Sequence, residues 1–253
     1  IRGIHLAFGG LMALDGVDLQ VRQAEIFGLV GPNGAGKTCL LNVVSGVYQC
    51  GRGSVIFAGK DITGLSPHRA PGIGIGRTFQ LVELFKRMSV LDNLLLGCHC
   101  HMRGNVLTGG LFWGPGKKEE THFRRKVEEV IKFLELERFR HASAGDLPFG
   151  IQKLVGIGRA LVTEPKILLC DEPSSGMNRQ EKEHLARFLL RIKYDLGVPI
   201  LWVEHDMKLI SDLADRIAVF HYGRKITEGS PAEVMNHPDV IRAYLGTGLP
   251  PSS

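Results

Sequence analysis

Gly31-Pro32-Asn33-Gly34-Ala35-Gly36-Lys37-Thr38 fills every fixed position of the phosphate-binding loop pattern G-x-x-x-x-G-K-[ST]. Its surroundings have the required character. The apolar run Ile26-Phe27-Gly28-Leu29-Val30 reads as a buried strand leading into the loop, and Cys39-Leu40-Leu41-Asn42-Val43-Val44 as the helix leaving it. Glycines let backbone N–H groups curl around phosphate oxygens, and the helix N-terminus adds the positive end of a dipole. In this pattern Lys37 reaches the β- and γ-phosphates and the Thr38 hydroxyl ligates Mg²⁺.

Two later segments add chemistry to that binding loop. Ile167-Leu168-Leu169-Cys170 is a short apolar run that ends in adjacent carboxylates, Asp171 and Glu172. Charges at the carboxyl end of a parallel strand emerge where such sheets bind ligands. Asp171 is suited to Mg²⁺, directly or through water. Glu172 is suited to accept the proton of an attacking water. Pro199 to Val203 repeats the logic and delivers His205, whose imidazole is within reach of a γ-phosphate. Gln80, after Gly76-Arg77-Thr78-Phe79, offers an amide to metal or water.

The chain has 253 residues, ordinary apolar and charged fractions, and no run near the roughly 18 apolar residues that cross a bilayer. Ile1 to His5 has no signal-peptide character, and without an initiator Met the chain reads as trimmed. The net charge of +5 suits a polyanionic nucleotide and an anionic lipid surface, and would equally suit nucleic acid. The bases are mostly interleaved with acids, as on a solvated helix face. Five scattered cysteines read as reduced thiols. Cys98-His99-Cys100-His101 alternates as on a strand and has no second ligand pair at zinc spacing, so a metal is not expected there.

Periodicity supplies the organisation. Strands are expected at His5 to Phe8, Val17 to Val21, Ser54 to Phe57 and Gly74 to Thr78, with a short helix capped by Ser66 and opened by Pro67. Helical periodicity over 90–145 predicts helices near 90–103 and 118–138 around a Gly-rich loop, 104–116, that contains Trp113. After Gly145, helix and strand alternate, which implies a parallel sheet covered on both faces. A hairpin is expected from Arg216 to Phe220 and Arg224 to Glu228, then two small helices opened by Ser230-Pro231 and His237-Pro238, and a loose tail from Gly248.

The ordered set of phosphate loop, Gln80, helical insert, Asp171-Glu172 and His205 resembles the ATP-binding subunit of an ABC transporter over essentially the whole chain. The resemblance implies an α/β P-loop NTPase core with a mostly parallel sheet, an antiparallel β subdomain and an inserted helical subdomain. The core would take 1–89 and 146–230, the helical part 90–145, and the C-terminal helices and tail 231–253. It implies ATP and Mg²⁺ as cofactors, with Mg²⁺ held by Thr38, Gln80 and Asp171. Nucleotide binding falls to Phe8, stacked on adenine, and to Gly31, Pro32, Asn33, Gly34, Ala35, Gly36, Lys37, Thr38 and Cys39. Glu172 is assigned as base, His205 as γ-phosphate sensor, and Gln80 as the link to a transmembrane partner. Two such subunits pair head to tail, so that ATP lies between one phosphate loop and the other signature segment. Ser174-Ser175-Gly176-Met177-Asn178 matches the loop that crosses that interface.

The signature departs from the usual L-S-G-G-Q: it is Leu147-Pro148-Phe149-Gly150-Ile151, followed by Gln152. Pro148 has no hydroxyl but suits a first helical turn, so the expected contact to ATP runs through the Gly150 amide and the helix dipole. Phe8 to Leu14, Gly76 to Gln80 with Met88 to Leu94, and the ending His237 to Gly246 resemble the LivG-type subgroup of branched-chain amino acid importers. That implies two transmembrane permease subunits, a second ABC ATPase subunit, an indirectly linked periplasmic solute-binding protein, no nucleic acid, and a peripheral place on the cytoplasmic face of the inner membrane. Urea, amide, lipid or lipopolysaccharide transport stays open, as does a soluble ABC-type ATPase. A GTPase is disfavoured because Asn-Lys-x-Asp does not occur.

Overall fold

Ile4 and Leu6 are buried while their neighbours reach solvent, the period-2 signature of a half-buried strand. The computed structural model describes residues 1–78, 83–98 and 115–245. Gln80, His99, Cys100, His101, Trp113, the remainder of the expected 104–116 loop up to residue 114, and the tail from Gly248 lie outside the described residues. Contacts divide the chain into two units: 1–67 with 169–172 and 189–253, and 68–168 with 173–188.

The first unit opens with β1 (Arg2–Phe8), which pairs antiparallel with β2 (Leu11–Val17) around Gly9-Gly10. The strand expected at Val17 to Val21 is therefore displaced. Asp18 instead turns its carboxylate onto the Gly3 N–H at 2.9 Å, ending the ladder. β3 (Ile26–Val30) is buried throughout and runs into α1 (Lys37–Val44), two residues longer than Cys39 to Val44. The strand expected at Ser54 to Phe57 is broken at Val55. Its N–H donates to Thr63 Oγ1 at 2.9 Å and its carbonyl accepts from Ile62 N at 2.9 Å. The break leaves β4 (Arg52–Ser54) on β1, and β5 (Ile56–Phe57) paired with β6 (Lys60–Asp61).

The second unit begins with a 3₁₀ turn, Pro67–Arg69, whose last two residues belong to it, then α2 (Ala70–Ile73) and β7 (Ile75–Thr78). Arg69, not Ser66, holds the cap position of α2. The helical part contains α3 (Val90–Gly97), α4 (Pro115–Phe133) and α5 (Phe149–Leu161). Ser89 caps α3 by accepting from Asp92 N. Pro115 and Gly116, expected in the loop, start α4. That helix stops before 138 because Glu135 takes φ +57. Cys98 is not on a strand but at the C-cap of α3, buried. Gly158 of α5 lets the helices approach: a Cβ there would lie 2.8 Å from Leu94 and 3.0 Å from Leu134.

β8 (Ile167–Asp171) starts in the second unit, where Lys166 N and Ile167 N donate to Gly74 O beside β7, and finishes in the first. α6 (Arg179–Asp195) likewise starts in the second and ends in the first. The first unit is completed by β9 (Ile200–Val203), α7 (Met207–Leu213), β10 (Arg216–His221), β11 (Arg224–Gly229), α8 (Pro231–Met235) and α9 (Pro238–Leu245). β10, β3 and β9 are parallel neighbours, and β11 closes the edge antiparallel to β10. Trp202, Phe27, Phe220 and Leu29 are shut off from water in this sheet. A continuous apolar strand such as Ile200–Val203 is what a sheet covered on both faces requires. Among the described residues, no helix is long and apolar enough to cross a membrane.

Candidate active site

The phosphate loop leaves β3 at Gly31, where a Cβ would sit 2.2 Å from the Phe220 carbonyl oxygen of β10. Gly36 is the N-cap of α1 at φ +98, and a Cβ there would lie 2.5 Å from the Ala13 carbonyl oxygen of β2. Glycine is thus imposed by neighbouring backbone as much as by phosphate approach. The turn between β10 and β11 braces the loop: Gly223 N donates to Ala35 O at 3.1 Å, and Gly223 O accepts from Asp15 N at 2.9 Å.

Lys37 folds back over this loop, its ammonium donating to Gly31 O at 2.7 Å and Pro32 O at 3.0 Å. Burial pushes its pKa below the ordinary lysine value, against the pull of the Glu172 and Asp171 carboxylates. Those carboxylates arrive on β8, buried at all five positions. Thr38 Oγ1 donates to Asp171 Oδ1 at 3.2 Å, so the hydroxyl and carboxylate assigned to the metal are neighbours. Both are hard oxygen donors. Mg²⁺ typically takes one or two such protein ligands and completes its octahedron with phosphate and water. Gln80, the third assigned ligand, is not among the described residues.

Glu172 follows Asp171 at φ +46, a left-handed backbone unusual outside glycine, and its N–H donates to Val203 O of β9 at 2.9 Å. That conformation turns its carboxylate onto the end of β9, where Oε1 meets His205 Nε2. His205 sits on a short loop shaped from inside by Glu204. The buried Glu204 carboxylate accepts from His205 N at 2.8 Å and Asp206 N at 3.4 Å. Asp206 then caps α7 by accepting from Leu209 N at 3.1 Å. Phe8 is exposed at the end of β1, in a T-shaped contact with the Tyr48 ring at a centroid distance of 5.0 Å. Cys39 is half-buried, and burial pushes its thiol pKa up, so it stays a neutral neighbour of Thr38.

The signature segment lies in the second unit. Pro148 is the N-cap residue of α5, one position before the first turn assigned to it, with φ −53 and ψ 146. Its carbonyl accepts from Ile151 N and Gln152 N, each at 3.0 Å. Gln152 Nε2 returns to Leu147 O at 2.8 Å. The Gly150 amide, expected to face ATP, donates to Glu181 Oε1 of α6 at 3.0 Å. Phe149 is exposed and packs against Gly176 of the following loop, where a Cβ would be 3.0 Å from its ring. The structure therefore brings Lys37, Thr38, Asp171, Glu172 and His205 together in the first unit, and joins Phe149 and Gly150 to the 174–178 loop in the second. Sequence reasoning missed Glu204, Glu181 and Gly223. For Glu181 a signal existed, since Asn178-x-x-Glu181 is a helix-start pattern.

A phosphate loop, a paired-carboxylate strand end and a histidine on the loop just past the next strand of a mostly parallel sheet define a P-loop nucleotide hydrolase. Within that class the chain belongs to the ABC transporter family, whose pattern matches residues 14–175, and it is an ATP-binding, ATP-hydrolysing subunit. A second pattern, described as branched-chain amino acid ATP-binding cassette transporter, matches residues 224–249. The chain is 38% identical over 253 residues to the high-affinity branched-chain amino acid transport ATP-binding protein BraF of Pseudomonas aeruginosa, covering 97% of this chain and 96% of that one. It is 35% identical over 246 residues to LivG of Escherichia coli, with the same coverage. Among solved structures it resembles the ADP conformation of MJ1267, an ATP-binding cassette of an ABC transporter, with a TM-score of 0.85, 34% identity and 97% of each chain covered.

Proposed function

We propose that this chain powers uptake of branched-chain amino acids or closely related small solutes as one of two ATPase subunits of an importer. It would sit on the cytoplasmic face of the membrane beneath two permease subunits, supplied by a solute-binding protein outside. The C-terminal match over 224–249 and relatives named for branched-chain amino acid transport favour this solute class over urea, amides or lipids.

The mechanism rests on one observation, the convergence of Lys37, Thr38, Asp171, Glu172 and His205. Phe8 stacks on adenine, and the loop amides with Lys37 hold the phosphates. Thr38 and Asp171 would hold Mg²⁺, which would supply positive charge to neutralise the phosphates. Glu172 takes a proton from water as the water oxygen bonds to the γ-phosphorus and the bond to the β-phosphate oxygen breaks. His205, now against Glu172, orients that carboxylate and then meets the γ-phosphate. Leu147 to Gln152 of this chain receives the partner's ATP. Closure and reopening drive the permeases because ATP binds the closed state better than the open one.

The test is ATP hydrolysis by the purified transporter. Glu172→Gln is expected to retain ATP binding and lose turnover by about a hundredfold or more, the scale set by losing a general base. Lys37→Ala is expected to lose tight ATP binding. Wild-type turnover in Glu172→Gln, or unchanged affinity in Lys37→Ala, would remove the residue from its role.

A further inference from the structure

Glu181 makes three contacts involving backbone groups at two separate helix starts. Its Oε1 accepts from Gly150 N at 3.0 Å, at the start of α5 in the signature segment. Its Oε2 accepts from Asn178 N at 2.9 Å, in the loop assigned to the subunit interface. Its own N–H donates to Asn178 Oδ1 at 3.0 Å, the reciprocal bond of a helix cap. One carboxylate therefore serves two helix starts in the same unit, a full ionised group divided between two backbone donors. The site is shaped for it: a Cβ on Gly150 would lie 2.7 Å from Glu181 Oε1. Phe149 against Gly176 forms a parallel apolar contact between the same two segments.

We propose that Glu181 is the positioning residue that ties the signature segment to the 174–178 loop, so that the two present themselves to the partner subunit as one piece. The inference rests on the reading that these segments meet the partner and its ATP. Capping alone would use only the bonds between Glu181 and Asn178, and any short acid would suffice. The bond to Gly150 needs the full length of a glutamate. A carboxylate split between the segments couples them, because moving either one strands charge-assisted hydrogen bonds of the other.

Length is therefore the variable to change. Glu181→Asp keeps an acid at the third helical position, where it still caps, but is one methylene too short to hold Gly150 as well. Glu181→Gln keeps the length but has a single acceptor oxygen, so it retains only one of the two bonds. Both are to be measured in the full chain within its transporter, for kcat, ATP cooperativity, affinity for a fluorescent ATP analogue and thermal unfolding. Both variants are expected to lose kcat by about tenfold, the cost of one charge-assisted bond. They should lose cooperativity between the two ATP sites and keep the analogue affinity of the Lys37 site, with the unfolding midpoint lowered by only about 2–4 °C. Glu181→Asp with wild-type kcat and cooperativity would reduce Glu181 to an ordinary cap and overturn the proposal. If Glu181→Asp does not fold, Glu181→Gln decides by the same readings. A wild-type transporter without ATP hydrolysis would overturn the functional reading itself, a result separable from normal turnover in the variants.

Discussion

Lys37 has to carry a positive charge at a position only 5% exposed to water. Two loop carbonyls hold the ammonium, and burial still pushes its pKa below the ordinary 10.5, with Glu172 and Asp171 pulling the other way. Depression favours the neutral amine, so this lysine loses its proton at a lower pH than an exposed one. Its effect on stability runs opposite to its effect on binding: the cost of burying the ammonium is relieved as pH rises, while the hold on phosphate is lost. ATP affinity is therefore expected to weaken as pH rises on the alkaline side, ahead of an ordinary lysine titration. Equilibrium binding across that range checks it. Lys37→Arg should bind less well but give a flatter profile, because guanidinium keeps its proton. A Lys37 profile as flat as the arginine one would contradict the assigned shift.

At the scale of elements, the phosphate loop is held by pieces far from it in sequence. The β10–β11 turn is the clearest case, since Gly223 donates to Ala35 O, accepts from Asp15 N and sits at φ +78. A Cβ on it would be 2.8 Å from Ala13 O, which is backbone and cannot step aside. Gly223→Val is expected to cost about 2 kcal/mol of stability. It should also weaken nucleotide binding about tenfold, the scale of one misdirected hydrogen bond. Denaturant melts and nucleotide titration measure the two effects. Gly223 also illustrates what the sequence leaves unread. The loop and Asp171-Glu172 were legible because their spacing is local and dictated by chemistry. The β8, β9 and β10–β11 elements were legible as short apolar or alternating runs. The β1–β2 ladder was misplaced because Gly9-Gly10 makes a tight hairpin that propensity alone does not separate from a loop. Val55 broke a promising strand because a threonine eight residues on captured its N–H. Glu204 was unreadable for a related reason, since it acts on backbone donors whose position only the fold supplies, and for Glu181 the sequence offered the helix cap but not the bond to Gly150.

At the scale of the whole molecule, function depends on assembly. A chain with its phosphate loop in one unit and its signature segment in the other is suited to trading sites with a second copy or a relative. Gentle purification of the full-length protein from membranes is expected to bring two multi-span proteins and a second ATPase with it. Recovery with ribosomes or DNA-binding proteins would contradict the transport assignment and leave the nucleotide site standing. Heat resistance is set at this scale too, and Glu172 limits how it can be raised. Its left-handed backbone costs about 1 kcal/mol for any residue with a side chain. Glycine at that position would relax the turn, making it one of the simplest thermostabilising substitutions available. It would also delete the carboxylate assigned to water activation. A screen selecting only for survival on heating should therefore enrich Glu172→Gly among chains that still bind ATP and no longer transport, a trade of activity for durability written into one backbone angle.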